Sequence, residues 1–120
     1  MTTTQAFLLK CLNDHIHKCK TSVPEGVNRD ELIVLAKLHE VAGIVYHQID
    51  DSAFKAPLAS FYASSIYQYA ERNRSFDEII KRFEEKNITF ALVKGPTIAA
   101  LYPYPVLRTM GDIDILVHKE

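Results

Sequence analysis

The sequence predicts an α+β fold: a mainly helical region over residues 1–86, packed on the first strands of a small mixed sheet over residues 87–120. Two observations carry that reading. Through Lys86 the apolar residues recur at i, i+3 and i+4, the period of a helix with one buried face. From Ile88 onward the texture changes to short aliphatic runs, and three of the five prolines fall in this last stretch. Composition agrees with a globular domain: 120 residues, 48% hydrophobic, 24% charged and a formal net charge of −1. Such a chain is not disordered by composition. With no basic excess, nucleic-acid binding is not implied by charge. No run approaches the ~18 apolar residues of a transmembrane helix, so no membrane partner is expected. Met1–Gln5 lacks the basic-then-apolar start of a secretory signal. Two cysteines read as free thiols complete the expectation of a cytoplasmic protein.

Each element has a local reason. The first helix runs from about Thr4 to Lys20, with Phe7, Leu8, Cys11, Leu12, Ile16 and Cys19 in one stripe. Cys11 and Cys19 would then lie about 12 Å apart along the axis, too far to bridge or to share a zinc ion with His15. Asn28, with Glu31 three residues on, opens a second helix as a near capping box. That helix carries Leu32, Leu35, Ala36 and Leu38, and His39 reads as a helix-packing histidine. Gly43 either ends it or marks a close helix contact, and a short helical piece spans Ile44 to Ile49.

A long helix follows from Pro57 to Lys86. Positions 58, 62, 65, 69, 72, 76, 79 and 83 keep a 4-3 spacing, read as a core-facing seam interrupted by Ser65 and Arg72. Asn87 is its C-terminal cap. Ile88–Val93 reads as a buried strand, Lys94-Gly95-Pro96 as a sharp turn and Thr97–Tyr102 as a short helix. Tyr102–Pro105 is extended by its prolines, with Tyr102 and Tyr104 packing over the short helix. Asp112–Val117 is a second strand.

Chemistry concentrates after residue 93. On a strand, Asp112 and Asp114 point to one face, with Ile113 and Ile115 on the other. Two carboxylates side by side repel unless a cation lies between them, and hard oxygen ligands suit Mg²⁺ or Mn²⁺. Lys94 and Gly95 close one strand and open a helix, where N–H groups and a cation meet a phosphate. Arg108 can neutralise an acid or grip a phosphate through two nitrogens. Together these are the parts of phosphoryl or nucleotidyl transfer.

The runs Leu92-Val93-Lys94-Gly95, Leu101-Tyr102-Pro103, Pro105 with Arg108, and Gly111 to Val117 resemble the uncharacterised bacterial nucleotidyltransferase family of the DNA polymerase β-type superfamily. Leu38-His39, Gly43-Ile44 and Arg72-Asn73 are similar more loosely. The resemblance implies that the sheet is of the nucleotidyltransferase type. It implies that Asp112 and Asp114 are catalytic metal ligands, that Lys94 and Gly95 form the nucleotide-binding turn, and that Arg108 binds or orders phosphate. Mg²⁺ (or Mn²⁺) is the implied cofactor. The implied reaction transfers a nucleoside monophosphate from a nucleoside triphosphate to a hydroxyl of an unknown acceptor. Pro96 stands where the family turn has serine, and the family's third carboxylate comes from a later strand. Residues 87–120 therefore read as the truncated start of the core, expected to turn over poorly alone. Two other classes fit the same residues: a non-catalytic interaction module with a degenerate site, and a metal-dependent glycosyltransferase using the acid pair.

Overall fold

A computed structural model of the chain describes residues 1–109, 111 and 113–119. Among the described residues, six α-helices and two strands follow in the order α1 (Thr3–Ile16), α2 (Arg29–Leu38), α3 (Ala42–Gln48), α4 (Ser52–Lys55), α5 (Ala59–Glu85), β1 (Phe90–Val93), α6 (Gly95–Ala99) and β2 (Asp114–Val117). Short 3-10 turns sit at Ala56–Leu58 and Pro105–Leu107.

Helix α1 opens on a full capping box. The Thr2 hydroxyl accepts from the Gln5 N–H at 3.1 Å, and the Gln5 side chain accepts from the Thr2 N–H at 2.9 Å. It ends at Ile16, short of the expected Lys20, because Lys18 turns left-handed with φ 58°. The Lys18 N–H donates to the His15 carbonyl and the Cys19 N–H to that of Asp14, the paired bonds of a Schellman end. Helix α2 ends the same way at Glu40 (φ 56°), and α5 at Asn87 (φ 53°), as its sequence predicted. Cys19 is thereby outside the helix and exposed. Cys11 is buried, and burial pushes its thiol up to about 12.

The expected cap of α2 is present: the Asn28 side chain accepts from the Glu31 N–H at 2.9 Å. It also ties two helices together. The Asn28 N–H donates to the Thr4 hydroxyl, and the Glu31 carboxylate accepts from the Thr2 hydroxyl, each at 2.9 Å.

The core lies between α1, α2 and α3, where Phe7, Leu8, Cys11, Leu32, Ala36, Val45 and Ile49 are buried and Leu58 closes one end. Helix α5 begins at Ala59, since Pro57 belongs to the preceding 3-10 turn. Its predicted seam faces inward, but from Tyr62 to Phe83 the seam residues are only half-buried, and no α5 residue is fully covered. The helix is longer than the elements that cover it, and the molecule measures 60 × 24 × 23 Å. Ser65 interrupts the seam for a reason: α3 approaches there through Gly43. A Cβ on Gly43 would stand 3.2 Å from the Ser65 Oγ and 3.6 Å from Leu107. Tyr46 stacks on Tyr62 beside this contact, ring centroids 4.5 Å apart.

Strands β1 and β2 pair antiparallel, with Phe90 opposite Val117 and Val93 opposite Asp114. Strand β1 is shorter than expected, because Ile88 donates its N–H to Phe83 in closing α5. It is also not buried throughout: Phe90 and Leu92 are half-covered while Ala91 and Val93 are exposed. A two-stranded ribbon with a five-residue helix against it is covered on one face only. Among the described residues, no helix is long and apolar enough to cross a membrane.

Candidate active site

The antiparallel register builds the site. Residues directly opposite in such a pair share a face. Asp114, the first residue of β2, therefore lies beside Val93, the last of β1, on the exposed side of the ribbon. The next residues along β1 are Lys94 and Gly95. The pairing brings three of the five predicted site residues to one end of the sheet.

The expected sharp turn at Lys94-Gly95-Pro96 puts its strain on the lysine. In the fold it is Lys94 that adopts φ 62° and ψ −130°, a region that costs a non-glycine residue about 1–3 kcal/mol. The Lys94 carbonyl accepts from the Thr97 N–H at 2.9 Å and the Ile98 N–H at 3.3 Å, which starts α6 two residues earlier than expected. Gly95 is buried at the first position of α6.

Arg108 follows the 3-10 turn at Pro105–Leu107, and its guanidinium lies over the Tyr102 ring, 5.8 Å from the centroid. With Tyr102 it lines a cleft of about 170 Å³ whose other wall is His39, Glu40 and Val41. The Thr109 hydroxyl donates to the Glu40 carbonyl at 2.8 Å and pins this wall. Leu107, 2% exposed, packs on Gly43 and holds the segment to α3 and α5. Among the described residues, no carboxylate pairs with Lys94 or Arg108.

Asp112 lies outside the described residues, as does Glu120. Asp114 is an exposed carboxylate at a strand start, a hard oxygen ligand of the kind Mg²⁺ takes. Among the described residues, no three His, Cys, Asp or Glu side chains gather as a metal cage. Mg²⁺ does not need one, since it binds through one or two carboxylates plus substrate phosphates.

The sequence reading missed the Arg108 cleft because its two walls are 69 residues apart at the Thr109–Glu40 bond. It also missed a cluster of His15, His47 and Tyr104. The Tyr104 ring lies 4.3 Å from that of His47 and 5.6 Å from that of His15, so this tyrosine packs on α1 and α3. Burial holds both histidines below the usual imidazole range, and the charges of Lys20, His15 and Lys55 push His47 further the same way. Periodicity gave no sign of it, since His15 sits on an ordinary amphipathic stripe.

No curated protein and no solved structure matches the chain. A family described as uncharacterised nucleotidyltransferase matches residues 25–120, from the approach to α2 through the sheet. The match spans the Lys94–Gly95 turn, Arg108 and Asp114, and the chain belongs to this uncharacterised nucleotidyltransferase family.

Proposed function

We propose that this chain carries the nucleotide side of a Mg²⁺-dependent (or Mn²⁺-dependent) nucleotidyl-transfer site. The observation that supports the reading most is the register that sets Asp114 beside Val93, one residue from the strained Lys94 turn. On this reading, a nucleoside triphosphate lays its phosphates against Lys94 and the start of α6, where the lysine ammonium offsets their charge. Gly95 leaves room for the approach. Arg108, steadied by the Tyr102 ring, offers a second cation from the neighbouring cleft. Asp112 and Asp114 are the residues that would hold the metal. When bound, it neutralises charge on the phosphoryl oxygens as the acceptor hydroxyl displaces pyrophosphate.

The test is a titration of the chain with Mg²⁺ and each of the four nucleoside triphosphates, following backbone amides by NMR. Shifts at residues 94, 95 and 113–116 are expected, with the metal-dependent part lost in Asp114→Asn and the nucleotide-dependent part weakened in Lys94→Ala. A silent spectrum at millimolar metal and nucleotide would overturn the reading and favour an interaction module. A response to nucleotide sugars alone would favour glycosyl transfer.

A further inference from the structure

Three rings meet where the segment after α6 crosses α1 and α3. His15 of α1 is 3% exposed, with the His47 ring edge-on at 5.8 Å and the Tyr104 ring at 5.6 Å. Tyr104 lies closer still to His47, at 4.3 Å, yet is 43% exposed. The histidines are fixed on two helices that pack together, whereas Tyr104 belongs to the irregular segment before the Pro105–Leu107 turn. Tyr104 is therefore the ring that can leave without disturbing a helix.

The surroundings disfavour a proton on either imidazole. Lys18, Cys19 and Lys20 line the gap of about 50 Å³ beside the rings, and Lys55 of α4 adds positive charge near His47. The neighbouring carboxylates are engaged. Asp14 accepts from Lys10 and from Thr21, each at 2.8 Å, and Asp50 pairs with Lys20 at 3.7 Å. Gln48 bonds the His15 ring and favours its charged form, but its NH₂ is already donated to the Cys19 carbonyl and the Thr21 hydroxyl. Among the described residues, the buried Nδ1 of His47 has no hydrogen-bond partner. The Tyr104 face can offset one imidazolium in part. A second would repel the first across 5.8 Å.

We propose that Tyr104 is a proton-operated latch, closed over neutral His15 and His47 and released as these rings take protons, with water replacing the tyrosine. The direction follows from burial. Both rings titrate below the ordinary 6.5 while closed, so the open form takes protons first and acid favours it. Each proton taken up on opening raises the open-to-closed ratio about tenfold per pH unit across that window. Tyr104 lies between Tyr102, which steadies Arg108, and the turn that leads to Arg108. Its release would leave Leu107 as the anchor of the segment and loosen the Arg108 cleft. Control of nucleotide binding by this route rests on the role proposed for Arg108; the release of Tyr104 does not.

The test contains neither metal nor nucleotide. Side-chain NMR of the chain from about pH 8 to 5 follows the rings of His15, His47 and Tyr104, with the Leu32 and Val45 methyls as reporters of the core. Tyr104 is expected to leave its ring contacts in step with His15 while the core methyls hold. Tyr104→Ala should move the His15 midpoint up toward 6.5, because the ring that kept water out is gone. A His15→Phe, His47→Phe double variant should hold Tyr104 in one state throughout. A stationary Tyr104 while His15 titrates overturns the latch, as does an unchanged His15 midpoint in Tyr104→Ala. Core methyls that move at the same pH would make the event unfolding and overturn it too.

Discussion

The two ends of this molecule are built on different principles. The helices before residue 58 surround a closed core, in which Cys11, Leu32, Ala36, Val45 and Ile49 are wholly out of solvent. Beyond α5, the buried apolar residues among those described are Ala99 and Leu107 alone, while Val93, Leu116 and Val117 remain exposed. The proposed chemistry lies on the thinly covered end. Its geometry rests on local devices, a strand register and one strained residue, and on Leu107 as its anchor. On the proposed function, stability belongs to one region and function to the other, so substitutions should separate the two.

The largest effect is expected in the core. Leu32→Ala should cost about 2–5 kcal/mol in urea denaturation, against under about 0.5 for Leu116→Ala, which is 66% exposed. Similar costs for the two would break the comparison. At the joint between the regions, Gly43→Val would press on Ser65 and Leu107 and should cost about 1–3 kcal/mol. Hydrogen exchange should then show the β1–β2 amides opening before those of α1 and α2; simultaneous opening would mean one cooperative unit.

A smaller change sharpens the contrast by reversing its sign. Lys94→Gly removes a side chain from a strained conformation and should stabilise the fold by about 1 kcal/mol while weakening nucleotide binding. Loss of both together would show that the lysine supports the fold. The last expectation concerns pH. His15 and His47 titrate below their ordinary 6.5 in the native state, so the unfolded chain takes protons first. Their contribution to stability is full above pH 6.5 and is lost as pH falls through the lower native values. Asp14, held low by the Lys10 and Thr21 hydrogen bonds, adds a loss only below 3.8. Urea midpoints between about pH 7.5 and 5 should decline in the native chain and flatten in a His15→Phe, His47→Phe double variant.

What the sequence revealed follows the range of the forces involved. Asn28 and Glu31 marked the start of α2 because a cap is a contact three residues long. The 4-3 spacing marked the inward face of α5, but no pattern within one helix can tell how far its neighbours extend. Lys18 and Glu40 hid two helix ends, since a left-handed cap is legible only when glycine or asparagine occupies it, as at Asn87. Of the candidate site, the turn and Asp114 are legible as short motifs. Their convergence needed the register, and the His39–Glu40 wall of the Arg108 cleft needed a contact across most of the chain.

The long helix has a mechanical side. At 1.5 Å per residue, the 27 residues of α5 form a rod of about 40 Å, and about 27 Å of it separates Ser65 from Phe83. Phe83 meets Phe90 of β1 with ring centroids 5.4 Å apart. The Gly43–Ser65 contact is thus the fulcrum of a lever with the sheet near its far end. A tilt of about 5° there would carry Phe83 about 2 Å, more than the distance that separates a good hydrogen bond from none. Leu107 packs on the same fulcrum, so the segment leading to Arg108 is geared to the same angle.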